Sequence, residues 1–308
     1  MKIAVMGAGA MGALYGALLA EGGNEVTLVD AWQEHVQAIM EHGLQVETGG
    51  CLKTFSVKAV SDPLLLGVQD LVLIFVKSYH TEVVVKNIHH LFHDGTAVLT
   101  LQNGLGNADI IAAAFNKATV LVGTTSHGAT VLGPGQIRHA GAGDTVVGKY
   151  SGKIDQHLSD IAAEFTRCHL NARTDDNIMG VIWGKLLINA GINPVTAICG
   201  VLNGELLKAE NIRQMAKLLI DEGEAVARAS GIELPYNDTF AVLEKVAAAT
   251  AANRSSMLQD IMSGRATEID YINGAVVKEG EKCGVPTPCN KFITRLIKEL
   301  EQRGSDRC

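Results

Sequence analysis

The sequence predicts an α/β fold in two parts, an N-terminal domain on a parallel sheet and a C-terminal all-helical domain. Three observations point there. Short, continuously apolar runs rich in β-branched residues alternate with helix-like stretches through the first ~170 residues, as in strands covered on both faces. A glycine-rich turn joins the first run to the first helical stretch. From Asn177 onward the strand signal stops, and Ala, Leu, Glu, Lys and Ile recur with helical spacing.

In chain order, Ile3 to Met6, Val26 to Val29, Leu71 to Val76, Val98 to Leu101 and Val120 to Val122 read as strands. Between them, Met11 to Glu21, Gln33 to Glu41, Thr81 to Leu91 and Ala108 to Phe115 read as helices. A β-rich stretch, Gly133 to Tyr150, holds the turn Gly133-Pro134-Gly135, and Lys153 to Cys168 reads as one more helix returning to the sheet. The helical half is expected to break near Pro194, Gly231 to Pro235, Gly264 and Gly284 to Pro288. The expected domains are residues 1–172, binding a dinucleotide, and 173–308, carrying substrate and catalysis.

With 308 residues, 47% of them hydrophobic, the chain is long enough to bury one or two cores. Lys and Arg number 26 against 33 Asp and Glu, and the basic residues are scattered, which argues against a nucleic-acid partner. Six dispersed cysteines form no disulfide framework, Cys283 and Cys289 lack the spacing of a zinc site, and reduced thiols in a cytoplasm are expected. No export signal precedes the first strand, and the apolar stretches Ala118 to Ile137 and Leu186 to Gly204 carry too many polar residues for a membrane span. The histidines, His80 and His127 among them, sit with no carboxylate in a metal-like arrangement, so no metal is expected.

Gly7-Ala8-Gly9-Ala10-Met11-Gly12 ends the first strand and opens the first helix, the context in which this pattern signals a dinucleotide site. Gly7 allows the tight turn, Gly9 lets a pyrophosphate approach the backbone, and Gly12 lets helix and strand pack closely. Asp30 closes the second strand, where a carboxylate accepts from both ribose hydroxyls and repels a 2′-phosphate; this favours NAD(H), with NADP(H) as the alternative. Lys77 and Asn103 follow strand ends on the ligand side of such a sheet and are further cofactor-side candidates.

In the helical half, Lys185, Asn189 and Asn193 fall at i, i+4 and i+8, so one helix face carries an ammonium and two amides among apolar neighbours. Periodicity alone favours a lysine snorkelling to water over one held in a desolvating pocket. Downstream stand Ser255-Ser256 and Thr267-Glu268-Ile269-Asp270-Tyr271-Ile272-Asn273-Gly274. Together with the glycine turn, Asn103-Gly104, Asn193-Pro194 and Asn203-Gly204-Glu205, this ordered set resembles the ketopantoate reductase family over essentially the whole chain.

The resemblance implies a Rossmann domain followed by a helical domain, and reduction of a 2-oxo acid with hydride from a nicotinamide cofactor. By motif, Lys185 corresponds to the general acid and Glu268 to its acidic partner. Asn189, Asn193 and Asn203 correspond to substrate amides, Ser256 to a carboxylate contact, and Asn103 to an amide beside both the nicotinamide and the lysine. Members that use NADPH tend to carry Arg after the second strand, where this chain has Asp30-Ala31. The first reading is reduction of 2-dehydropantoate to (R)-pantoate. Two others stand beside it: an NAD-dependent D-2-hydroxyacid dehydrogenase acting on branched or aromatic 2-oxo acids, and a nucleotide-binding protein without turnover. The helical domain leaves a homodimer open.

Overall fold

The computed structural model describes residues 1–115 and 118–305, so Cys308 lies outside the described residues. The chain divides into two compact units, Met1–Gln102 with Asn107–Ile178, and Asn103–Gly106 with Met179–Cys308.

In the first unit the strands are β1 (Lys2–Met6), β2 (Glu25–Val29), β3 (Leu44–Thr48), β4 (Cys51–Phe55), β5 (Lys58–Val60), β6 (Leu71–Ile74), β7 (Ala97–Thr100), β8 (Thr119–Thr125), β9 (Gly128–Gly133), β10 (Gln136–Gly141), β11 (Thr145–Lys149) and β12 (Ala172–Thr174). The helices are α1 (Ala10–Glu21), α2 (Gln33–His42), α3 (Thr81–Asn87), α4 (Asn107–Ala114) and α5 (Gln156–Arg167). Among the described residues, eight strands form one sheet in the order β12-β11-β8-β7-β6-β1-β2-β5, parallel except where β11 runs against β8. The first strand lies between β2 and β6, so the order reverses at β1, and ligands of open α/β sheets bind beyond the carboxyl ends of strands at such a point.

The pleat sends alternate residues of the central strands into two separate cores. Ile3, Val5, Leu73 and Leu99 pack on one face, and Ala4, Met6, Val72, Ile74 and Val98 on the other. A second sheet, in the order β4-β3-β10-β9, was not foreseen from sequence. It lies over α1, contributing Leu44, Val46 and Ile137 to the core that also holds Leu14, Ala17 and Leu19. This explains why α1 is apolar on nearly every side: it is sandwiched between two sheets. The strand signal also runs further than expected, because β12 pairs in parallel with β11.

The second unit contains α6 (Ile178–Cys199), α7 (Glu210–Ala229), α8 (Thr239–Ala249), α9 (Ser256–Met262), α10 (Asn273–Cys283) and α11 (Pro288–Ser305). α6 is its axis. Trp183, Leu186, Leu187 and Ala190 join one apolar cluster with Val226, Leu258 and Val276, while Ile188 and Ile192 join another with Ile220 and Leu243. By length and composition α6 could cross a membrane, but 72% of its most apolar window is buried inside the protein, as in a core helix.

The expected break at Pro194 does not occur, and α6 runs through it. Proline lacks the N–H that would bond to the Ala190 carbonyl. The side chain of Asn273 supplies the missing donor, its Nδ2 lying 3.1 Å from that oxygen. The expected breaks at Gly231 to Pro235, Gly264 and Gly284 to Pro288 fall between helices, with Gly284 ending α10 in the left-handed region at φ +74°.

Candidate active site

The turn between β1 and α1 is shaped by two glycines that nothing else could replace. Gly7 has φ +97°, and a Cβ there would lie 2.6 Å from the Val76 nitrogen; a Cβ on Gly12 would fall on the Gly7 carbonyl. Gly9 differs, because a Cβ there would meet no atom of the described residues within 4 Å apart from its own chain neighbours. That open side lies at the start of α1, where no side chain caps the helix. Uncapped N–H groups beside open space form an anion cradle, and a dinucleotide pyrophosphate fits it.

Asp30 directly follows β2 and is fastened from two directions. Its Oδ2 accepts from the Ala8 N–H at 2.7 Å, and its Oδ1 accepts from the Trp32 N–H at 2.9 Å. Each oxygen keeps a lone pair, so the carboxylate can still accept from ribose hydroxyls. His35, which the sequence reading did not single out, holds the same turn from α2. The Gly135 N–H donates to its Nδ1 at 3.0 Å, so the ring proton sits on Nε2, which donates to the Ala8 carbonyl at 2.9 Å. Burial pushes the His35 imidazole below its ordinary range, against the pull of Asp30, and the Trp32 ring stacks on it at 4.9 Å.

Lys77 lies just beyond β6, at the start of the turn Ser78–His80, in the segment against which Gly7 packs. A buried polar chain that sequence reading missed secures this edge. Gln102 donates to the Val76 carbonyl at 2.6 Å and to Thr81 Oγ1 at 2.9 Å, while Thr81 donates to Asn107 and Asn107 to Ser78. Each of these residues is ordinary in a loop or helix start, and only their convergence reveals the chain.

The second unit gathers the remaining candidates. Lys185, Asn189 and Asn193 share α6 as their spacing requires, with Asn193 buried and the other two half-buried. Desolvation pushes the Lys185 ammonium down to about 8, while the negative charge of Glu268 pulls it back up. The lysine is therefore desolvated rather than snorkelling. Glu268 is buried just before the turn Ile269–Tyr271, and the Leu105 N–H donates to the Tyr271 carbonyl at 2.9 Å, fastening the Asn103–Gly106 segment beside it.

Ser256 is exposed at the first position of α9, and its neighbour Ser255 caps that helix, accepting from the Leu258 N–H at 3.2 Å. Thr196 of α6 donates to Ser255 Oγ at 2.8 Å, which brings the start of α9 beside Asn193. Asn203 is buried in the turn Asn203–Leu207 and donates to Thr250 at 3.0 Å; its Oδ1 has no hydrogen-bond partner among the described residues. A buried, unused acceptor is costly unless a ligand satisfies it. This unit thus presents a titratable ammonium, a buried carboxylate and several amides, a set able to hold a small polar anion and hand it a proton.

Comparisons with known proteins give the family. Residues 3–152 match the profile described as Ketopantoate reductase PanE/ApbA, and residues 177–301 match its C-terminal counterpart. The chain is 36% identical over 308 residues to the 2-dehydropantoate 2-reductase of Halobacterium salinarum, covering 99% of this chain and 100% of that one. It is also 36% identical to the enzyme of the same name from Archaeoglobus fulgidus, covering 97% and 98%. Among solved structures, a D-mandelate dehydrogenase with NADH and anilino(oxo)acetate superposes with a TM-score of 0.93 at 34% identity, covering 99% of this chain and 100% of that one. A ketopantoate reductase from Ralstonia eutropha superposes at 0.91 with 34% identity and the same coverage. Both halves of the chain therefore belong to the ketopantoate reductase family.

Proposed function

We propose that this protein reduces 2-dehydropantoate to (R)-pantoate, with a nicotinamide dinucleotide held by the glycine cradle and Lys185 as proton donor. The observation that carries this reading is Lys185 itself, an amine brought down to about 8 with a buried carboxylate acting on it. Such an acid is charged at neutral pH and gives up its proton readily, which is what general acid catalysis near pH 7 requires. When bound, the reduced nicotinamide supplies hydride to the 2-oxo carbon. Lys185 stabilises the negative charge that grows on the ketone oxygen and protonates it. Glu268 keeps the ammonium charged and accepts from a substrate hydroxyl, so its loss should raise KM as well as slow turnover. Asn189, Asn193, Asn203 and Ser256 orient the substrate, and Asn103 steadies the lysine and the nicotinamide.

The cofactor reading is NADH, supported by Asp30: the carboxylate after β2 is fixed by two backbone N–H groups and keeps lone pairs for ribose hydroxyls, and its charge would repel a 2′-phosphate. We assign residues 1–172 to dinucleotide binding and 173–308 to substrate binding and catalysis, acting in the cytoplasm. A second reading is favoured by one observation, the likeness to a D-mandelate dehydrogenase with NADH: oxidation and reduction of bulkier 2-hydroxy and 2-oxo acids. Steady-state rates with 2-dehydropantoate and phenylglyoxylate, each with NADH and NADPH, separate the two. Preference for 2-dehydropantoate supports the first reading; turnover of phenylglyoxylate with little on 2-dehydropantoate replaces it with the second.

A further inference from the structure

Lys185 and Glu268 stand on different elements of the helical unit, α6 and the turn leading into α10, so their register depends on what ties those elements together. A direct polar tie exists between Asn273 Nδ2 and the Ala190 carbonyl, at 3.1 Å and fully buried. Ala190 comes five residues after Lys185, and Asn273 five residues after Glu268. Pro194 has no N–H to give the Ala190 oxygen its helical bond, and the Asn273 amide supplies a donor from outside the helix in its place.

The amide is itself held in place. Its second hydrogen goes to Asn290 Oδ1 at 2.9 Å, and Asn290 donates to the Leu219 carbonyl at 3.0 Å and to Glu222 at 2.8 Å. Glu222 also accepts the N–H groups of Cys289 and Asn290 at the start of α11. Asn273 Oδ1, by contrast, is buried with no hydrogen-bond partner among the described residues. The polar contacts that offset the cost of burying this amide are those of its two donors.

We infer that Asn273 is a positioning residue: through Ala190 it sets Glu268 in register with Lys185, and Pro194 is the residue that opens the acceptor for it. The inference rests on the reading of Lys185 and Glu268 as the acid pair. Its test compares N273A, P194A, the double variant and E268Q for melting temperature, for kcat and KM on 2-dehydropantoate, and for Lys185 titration followed by NMR of lysine-labelled protein. N273A should lower kcat roughly ten- to a hundredfold with a smaller change in KM, the cost of a displaced catalytic group. It should also move the Lys185 titration in the same direction as E268Q.

P194A returns an N–H to the Ala190 carbonyl but not the bond to Asn290, so the double variant should regain part of the melting temperature lost in N273A while kcat stays low. Recovery of kcat together with stability would make Asn273 a packing residue only and overturn the inference. So would a Lys185 titration that N273A leaves unmoved. The titration needs no substrate: if the protein reduces no 2-oxo acid, a shift in N273A still supports the tie, and only the activity reading falls.

Discussion

Glu268 and Lys185 form a charge pair within the helical unit in which two effects oppose each other: removal of water drives the ammonium down to about 8, and the carboxylate limits that fall. Without Glu268 the amine would lose its proton more easily; without desolvation it would hold its proton too tightly to donate it near neutrality. The predictions below begin from this balance.

Lys185→Ala should lower kcat by about 10²–10⁴, the usual worth of a positioned acid. NADH affinity, read by quenching of protein fluorescence, should change little, because the glycine cradle belongs to the other unit. A loss of less than about tenfold in kcat would remove Lys185 from the chemistry.

The pH dependence has a definite sign. As the proton donor of the proposed reduction Lys185 must be charged, and it is charged below about 8. Reductive kcat should be flat on the acid side of that value and fall about tenfold per pH unit above it, while oxidation of the hydroxy acid should rise over the same range. A reductive rate that stays level to pH 9.5 contradicts the assignment.

Two glycine substitutions should part company. Gly9→Ala adds a methyl group that meets no protein atom and lies at φ −59°, so the melting temperature should hold while NADH affinity falls roughly tenfold, since the methyl occupies the phosphate approach. Gly12→Ala drives a methyl into the Gly7 carbonyl, and both stability and binding should fall. Thermal melts and NADH titrations of the pair decide the matter.

Asp30→Ser keeps a group able to accept from the Ala8 N–H and removes the charge that, in the proposed cofactor reading, would repel a 2′-phosphate. The ratio of kcat/KM for NADPH over NADH should rise by about tenfold, the equivalent of ~1.4 kcal/mol. An unchanged ratio would mean that Asp30 is a fastening for the glycine turn and not a selector.

His35 is neutral in the folded protein, with Nδ1 accepting from Gly135, and burial holds its pKa below the ordinary value of 6.5. The unfolded chain therefore takes up the proton first as pH falls. The stability that His35 contributes is complete above about 6.5 and is lost as pH drops through the folded value. NADH affinity should weaken over the same acid range as the glycine turn loses this support, and His35→Gln should flatten that dependence. Equal acid sensitivity in both proteins would contradict the role.

The sequence by itself determined what depends on near neighbours and on period. Runs such as Leu71 to Val76 must be covered on both faces, the Gly7 to Gly12 turn can serve only close approach, and spacing alone puts Lys185, Asn189 and Asn193 on one helix face. Tertiary structure decided what depends on distant partners. β4 is mostly exposed and β9 only half-buried, so neither carries a strong apolar pattern, and the second sheet stayed out of sight until β3 and β10 paired in parallel across the fold. Pro194 reads locally as a helix stop, yet α6 runs through it, and Asn273, distant in sequence, donates to the carbonyl it frees. Whether Lys185 reaches water or sheds it is likewise invisible in one helix, because desolvation is a property of everything packed around the ammonium.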